Sequence, residues 1–200
     1  LNVNLLIDAE ESWFQDAIDE IAEDLMEKYN MKTPLIYTTL QMYRKDRLDY
    51  LKKLQNKATK KGFKIGVKLV RGAYIEKENS RAIQSGVSSP ICDSKQLTDI
   101  NFNAGLDFIL EHHEECSLFL GSHNESSVQR VIDWMTKNKI EKDHPHIWFS
   151  QLLGMADHIS FNLASEGYRV VKYLPYGPVE EVIPYLIRRA EENTSVSGQT

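Results

Sequence analysis

Near the C-terminus the stretch IPYLIRRAEE, residues 183–192, sets two arginines, Arg188 and Arg189, one helical turn after a phenol, Tyr185. Residues three and four apart share a helix face. Tyr185 therefore stands between the two guanidiniums, which diverge by about 100° around the axis. Two such groups can grip one carboxylate with forked hydrogen bonds, which lysines do less well. Gly177-Pro178 followed by Glu180 and Glu181 supplies a helix start, with carboxylates at the positive end of the dipole. Pro184 falls inside this helix and is expected to kink it. The competing reading is a solvated face, because RRAEE also offers surface ion pairs worth little. Further chemistry-bearing side chains recur upstream at intervals: Asp8 with Glu10, Gln41, Lys68 with Arg71, Ser122 with His123, Gln151, and Tyr173.

Each of these upstream groups falls near the C-terminal end of a short aliphatic or β-branched run. The runs span residues 3–10, 34–41, 63–70, 117–124, 147–154 and 168–175. They are apolar on both faces rather than alternating, as strands buried in a parallel sheet are. Helix-like segments lie between them at 12–29, 44–61, 94–115, 125–138 and 155–166. Ser12 is the expected N-cap of the first, and Gly62 the residue that stops the second. Strand and helix alternating in this way predict βα units and a parallel sheet. A doubly wound sheet and a closed barrel both satisfy the pattern, but no G-x-G-x-x-G fingerprint follows any candidate strand. Polar residues at six successive strand ends favour the (βα)8 barrel, whose enzymes build their sites on that face. Eight units usually need about 250 residues, and this chain has 200. The expectation is a TIM-like barrel domain over residues 1–200 that lacks its first two βα units.

Composition narrows the partners. The chain is 42% hydrophobic and 26% charged, which suits a globular domain with a real core. A net charge of −5 disfavours nucleic acid and anionic membrane surfaces. No apolar run approaches the ~20 residues of a membrane span. Cys92 and Cys116 lack metal-ligand spacing and read as free thiols. Leu1 opens almost directly on a strand-like run, so the start is expected to have been cut from something longer. His123 with Asp8 and Glu10 could suggest a metal hydrolase, but no His-x-His pair supports it. His112-His113 is expected at the surface, and His144, His146 and His158 in packing or caps. Trp13, Trp134 and Trp148 are expected in the core or at helix–barrel contacts.

At KLVRGAY (68–74) and YLPYGPVEEVIPYLIRRAEE (173–192) the chain resembles the proline dehydrogenase family, eukaryotic branch. The stretches LLIDAEES (5–12), TTLQMY (38–43), GSHN (121–124) and FSQLLGMAD (149–157) agree in order and spacing. The resemblance implies a distorted (βα)8 barrel that binds FAD without a Rossmann domain, with the last helix capping the barrel mouth. It implies that Arg188 and Arg189 hold the carboxylate of L-proline. Tyr173, Tyr185, Leu153 and Tyr74 would line the same pocket, and Asp8 resembles the family's active-site aspartate. Glu10 and Glu11 are expected to be structural. For the flavin it implies Gln41 at the ring edge and Lys68 near N5. Arg71, Gly72 and Ala73 would follow the ring and phosphates, with Ser122, His123 and Gln151 completing the site. The implied reaction moves a hydride from C5 of proline to flavin N5, giving Δ1-pyrroline-5-carboxylate. A quinone acceptor and a mitochondrial setting, at the inner membrane or on its matrix side, are implied by family alone, with peripheral membrane association. Two rivals stand beside this reading: a hydroxyproline dehydrogenase, disfavoured by the bulk of Tyr173, and an inactive barrel-derived binding or regulatory module.

Overall fold

The computed structural model describes residues 3–197, with side chains described through residue 187 and at Arg189. Six strands, β1 (Leu5–Ile7), β2 (Ile36–Gln41), β3 (Ile65–Val70), β4 (Cys116–Gly121), β5 (Ile147–Leu152) and β6 (Val170–Tyr173), form one sheet in chain order. Every pairing is parallel. Helices α1 (Ser12–Tyr29), α2 (Arg47–Lys61), α3 (Ile75–Ser85), α4 (Lys95–Glu111), α5 (Glu125–Lys137), α6 (Asp157–Ser165) and α7 (Val179–Ser197) fill the connections.

The two faces of the sheet differ in what they bury. One carries Leu40, Val67, Leu69, Leu118, Leu120 and Phe149 into a core shared with Leu51 of α2, Leu106 of α4 and Val131 of α5. The register places Thr39, Lys68, Phe119 and Trp148 side by side on the opposite face. There Phe119 meets Tyr37 edge-on at 5.0 Å and stacks on Trp148 at 5.4 Å. That face is the concave side of a curl. In a flat sheet β3 and β6 would stand about 14 Å apart at ~4.8 Å per strand. Instead Lys68 Nζ of β3 lies 5.4 Å from the Tyr173 ring of β6, and the same ammonium meets Asp8 just beyond β1. Six parallel strands rolled around an inward lysine make a partial barrel; among the described residues β1 pairs only with β2, and β6 only with β5.

Local chemistry explains the element ends and corrects three expectations. Ser94 caps α4, its hydroxyl accepting from the Leu97 amide at 3.2 Å. Gly62 ends α2 in the left-handed region, at φ 77°. Ser12 is not the N-cap of α1: Glu11 holds that position, and the Ser12 amide and hydroxyl both donate to Glu78. Helix α3 has no counterpart in the sequence reading. Only Ile75, Ala82 and Ile83 of its residues are apolar; it buries Glu78 and Ala82 and leaves both isoleucines exposed, too few apolar positions for a helix to be read. His113 is not simply at the surface: its ring meets Trp134 at 5.1 Å and His144 at 6.1 Å, beneath the sheet's N-terminal edge.

Candidate active site

Toward the C-terminal ends of the strands the inner face carries Lys68. Its ammonium donates to Asp8 Oδ1 at 2.5 Å, and Thr39 Oγ1 reaches the same oxygen at 3.3 Å. The Lys68 side chain is 18% exposed and that of Asp8 53%, so the pair sits at a rim rather than in the core. An ammonium has three donors, and among the described residues Asp8 takes the one hydrogen bond Lys68 makes. Tyr173 covers the lysine, and its ring meets Tyr185 of α7 at 6.0 Å. Burial and the nearby Asp8 carboxylate push the Tyr173 phenol above its ordinary range. Arg189 lies over the Tyr185 ring at 5.0 Å. Asp8, Lys68, Tyr173, Tyr185 and Arg189, from three strand ends and the last helix, thus form one continuous cluster. Arg188 lies on the same helix, but its side chain is outside the described residues. Leu153 follows β5 and is exposed, its amide bonded to the Tyr173 carbonyl at 2.9 Å.

A second group surrounds the exit of β3. Arg71 donates to Asp99 at 2.7 Å, and to Ser122 and Ser127 at 3.2 Å each. It also lies over the Phe102 ring at 4.2 Å. Gln41 bridges two loops, donating to the Glu10 carbonyl at 2.8 Å and accepting from the Ala73 amide at 3.0 Å. Tyr74 Oη donates to Glu10 Oε2 at 2.6 Å. Gly72 has φ 138°, and a side chain there would run into the ring of Tyr43, so its smoothness serves a neighbouring phenol. Gln151 is buried facing the helices, donating to the Ser122 carbonyl at 3.2 Å and accepting from Ser160 at 2.9 Å. His123 Nε2 stands 3.5 Å from the Leu152 amide. Among the described residues no group of His, Cys, Asp and Glu is placed to hold a metal ion.

The sequence reading missed Thr39, Asp99, Ser127 and Glu78. Thr39 could have been found from strand parity, since it lies two residues before Gln41. Asp99, Ser127 and Glu78 lie on helices, where no local spacing marks a residue as reaching a strand end.

A rolled parallel α/β sheet with cations, carboxylates and phenols gathered at its C-terminal rim has the form of a barrel-type enzyme site. The chain belongs to the proline dehydrogenase family, whose model matches residues 1–200. It is 40% identical to human mitochondrial proline dehydrogenase 1, covering 100% of this chain and 34% of that protein. It is 39% identical to Xenopus laevis hydroxyproline dehydrogenase, covering 97% of this chain and 42% of that one. Among solved structures, proline utilization A from Bdellovibrio bacteriovorus, inactivated by N-propargylglycine, superimposes with a TM-score of 0.88 at 28% identity, over 96% of this chain and 20% of that one. The chain thus spans about a third of the length of its mitochondrial relatives, 34% and 35% for the human and Dictyostelium discoideum proteins.

Proposed function

We propose that this cluster binds L-proline and oxidises it with a bound FAD to Δ1-pyrroline-5-carboxylate. The observation that carries the reading is Lys68, an inward ammonium at the mouth of a rolled sheet, covered by Tyr173 and adjoined by the arginine-bearing helix α7. The donor set suits a flavin, whose ring edge is rich in acceptors. Lys68 has donors beyond the one Asp8 uses, and Arg71 adds a second cation at the same strand exit. Gln41, Arg71, Gly72, Ala73, Ser122 and His123 would complete the holding surface with Lys68. Gln151, buried against the helices with its amide engaged by Ser122 and Ser160, would back that surface through Ser122 rather than line it. The flavin supplies the hydride acceptor, and the protein supplies placement and charge.

Arg188 and Arg189 grip the substrate carboxylate, and Tyr173, Tyr185, Leu153 and Tyr74 enclose the ring. Asp8 offsets the charge of Lys68 and holds the ammonium at the rim, where a positive group stabilises anionic character developing beside it. Tyr173 crowds the position a 4-hydroxyl would take, which favours proline over hydroxyproline. A quinone would reoxidise the cofactor at the mitochondrial inner membrane. No helix among the described residues is long and apolar enough to cross a membrane. The test is product analysis after anaerobic incubation of the flavin-loaded protein with each imino acid. Trapped cyclic imine from proline, formed faster than from hydroxyproline, supports the reading; no imine from either refutes it.

A further inference from the structure

Asp8 is held by very little strand. β1 contributes three residues, and Asp8 follows the last of them, beyond the β1–β2 ladder. The direction of its carboxylate is therefore set by the turn over residues 8–12. The middle of that turn is held by Gln41 of β2 and Gln15 of α1 on the Glu10 backbone, and the turn is also fastened to the segment that follows β3. Tyr74 donates to Glu10 at 2.6 Å, Lys77 pairs with Glu11, and Glu78 accepts from the Ser12 amide at 2.5 Å and hydroxyl at 2.7 Å. With Lys68 on Asp8, the partners run in the same order along both segments.

These fasteners are unequal. The Lys77 side chain is 62% exposed, so its ion pair is open to solvent screening. Glu78 is 2% exposed. Its two carboxylate oxygens both accept from Ser12, one from an amide in the first turn of α1, where the helix dipole favours negative charge. A carboxylate withdrawn this far has little water to replace a lost donor, so it fixes the group that donates to it. Helix α3 buries only Ala82 besides, and Arg81 over the Trp13 ring at 4.3 Å adds a second contact with α1.

We infer that Glu78 is a positioning residue of the site: it anchors the start of α1 and, through the turn over residues 8–12, aims Asp8 at Lys68. The inference rests on the proposed oxidation for its catalytic consequence. It is tested in the flavin-loaded full chain with Glu78→Ala, which removes both acceptors, and Glu78→Gln, which leaves one. Each is made with and without Asp8→Ala. Amide exchange over residues 8–12 should accelerate about tenfold in Glu78→Ala and less in Glu78→Gln. Flavin bleaching at saturating proline should slow about tenfold when Asp8 is present, and by less than about twofold once Asp8 is already alanine. Equal losses in both backgrounds would mark Glu78 as merely structural and overturn the inference. Unchanged exchange over 8–12 would overturn it whatever the activity. If the unmodified protein does not bleach with proline, the oxidation reading fails separately, and the exchange result still decides whether Glu78 holds the turn. Should Glu78→Ala fail to fold, Glu78→Gln and Ser12→Ala carry the same comparison.

Discussion

Replacing Gly72 by alanine tests how tightly the loop after β3 is built. The added Cβ would lie 2.3 to 2.6 Å from three ring atoms of Tyr43, at a backbone φ of 138° that L side chains rarely adopt. The ring has little room to retreat: Tyr43 is 1% exposed, and its amide is bonded to the Arg71 carbonyl at 2.6 Å. Backbone strain of about 1–2 kcal/mol and overpacking of about 1–3 kcal/mol together give about 3 kcal/mol of destabilisation. Gly62→Ala is the control, since that glycine also has positive φ, 77°, but nothing within 4 Å of the new Cβ. It should cost about 1 kcal/mol. Urea denaturation reads both. With a slope of about 2 kcal/mol per molar, the midpoints should fall by about 1.5 M and about 0.5 M. Equal midpoints for the two variants would refute the claim that Gly72 is required by Tyr43.

Further outcomes follow from buried charge and burial itself. Arg47 and Asp19 pair at 2.6 Å with side chains 5% and 6% exposed, and burial lifts the Asp19 carboxyl above its usual range despite the arginine. Arg47→Leu leaves that carboxyl without its main partner and should cost about 3–5 kcal/mol in denaturant melts; a loss below about 1 kcal/mol would contradict this. Burial, with His146, His113 and Arg169 nearby, holds His144 below its ordinary range; burial, Lys64 and Arg169 do the same for His146. The folded state then binds fewer protons than the unfolded one. Their contribution is complete above the unfolded value of about 6.5 and is lost as pH falls from there toward the lower folded values. Thermal melts between neutral and mildly acidic pH should show this slope, and His146→Gln should flatten it. Burial pushes the Cys116 thiol up to about 12, whereas Cys92 is only half-buried. A thiol reagent should therefore label Cys92 in the native protein and reach Cys116 only on unfolding.

The strands were legible as short aliphatic or β-branched runs; β2 is buried at every position, whereas β1 and β6 are only partly buried. Six of the seven described helices were legible, five between the strand runs and α7 from its proline start and amphipathic stretch, and α1 lies on the boundaries its pattern implied, 12–29. Helix α3 was not, because its few apolar residues, Ile75, Ala82 and Ile83, stand near its two ends with a polar run between them. Ser12 shows the same limit: its type suits a cap, but a carboxylate 66 positions away takes its donors. At the site, residue type and strand-end position brought out Asp8, Lys68 and Tyr173, and the pattern of the last helix brought out Tyr185. The curl of the sheet sets Asp8 and Tyr173 on the Lys68 ammonium, with Tyr185 against Tyr173. Arg71 and Gln151 were equally visible, but their partners on α4, α5 and α6 were not, since long-range contacts carry no local signature.

The most direct test of the central claim is the visible absorbance spectrum of the flavin-loaded protein before and after proline is added without oxygen. The account predicts an oxidised flavin spectrum that bleaches with L-proline, and bleaches poorly when Arg189 is replaced by alanine. A flavin that stays oxidised in saturating proline would contradict it.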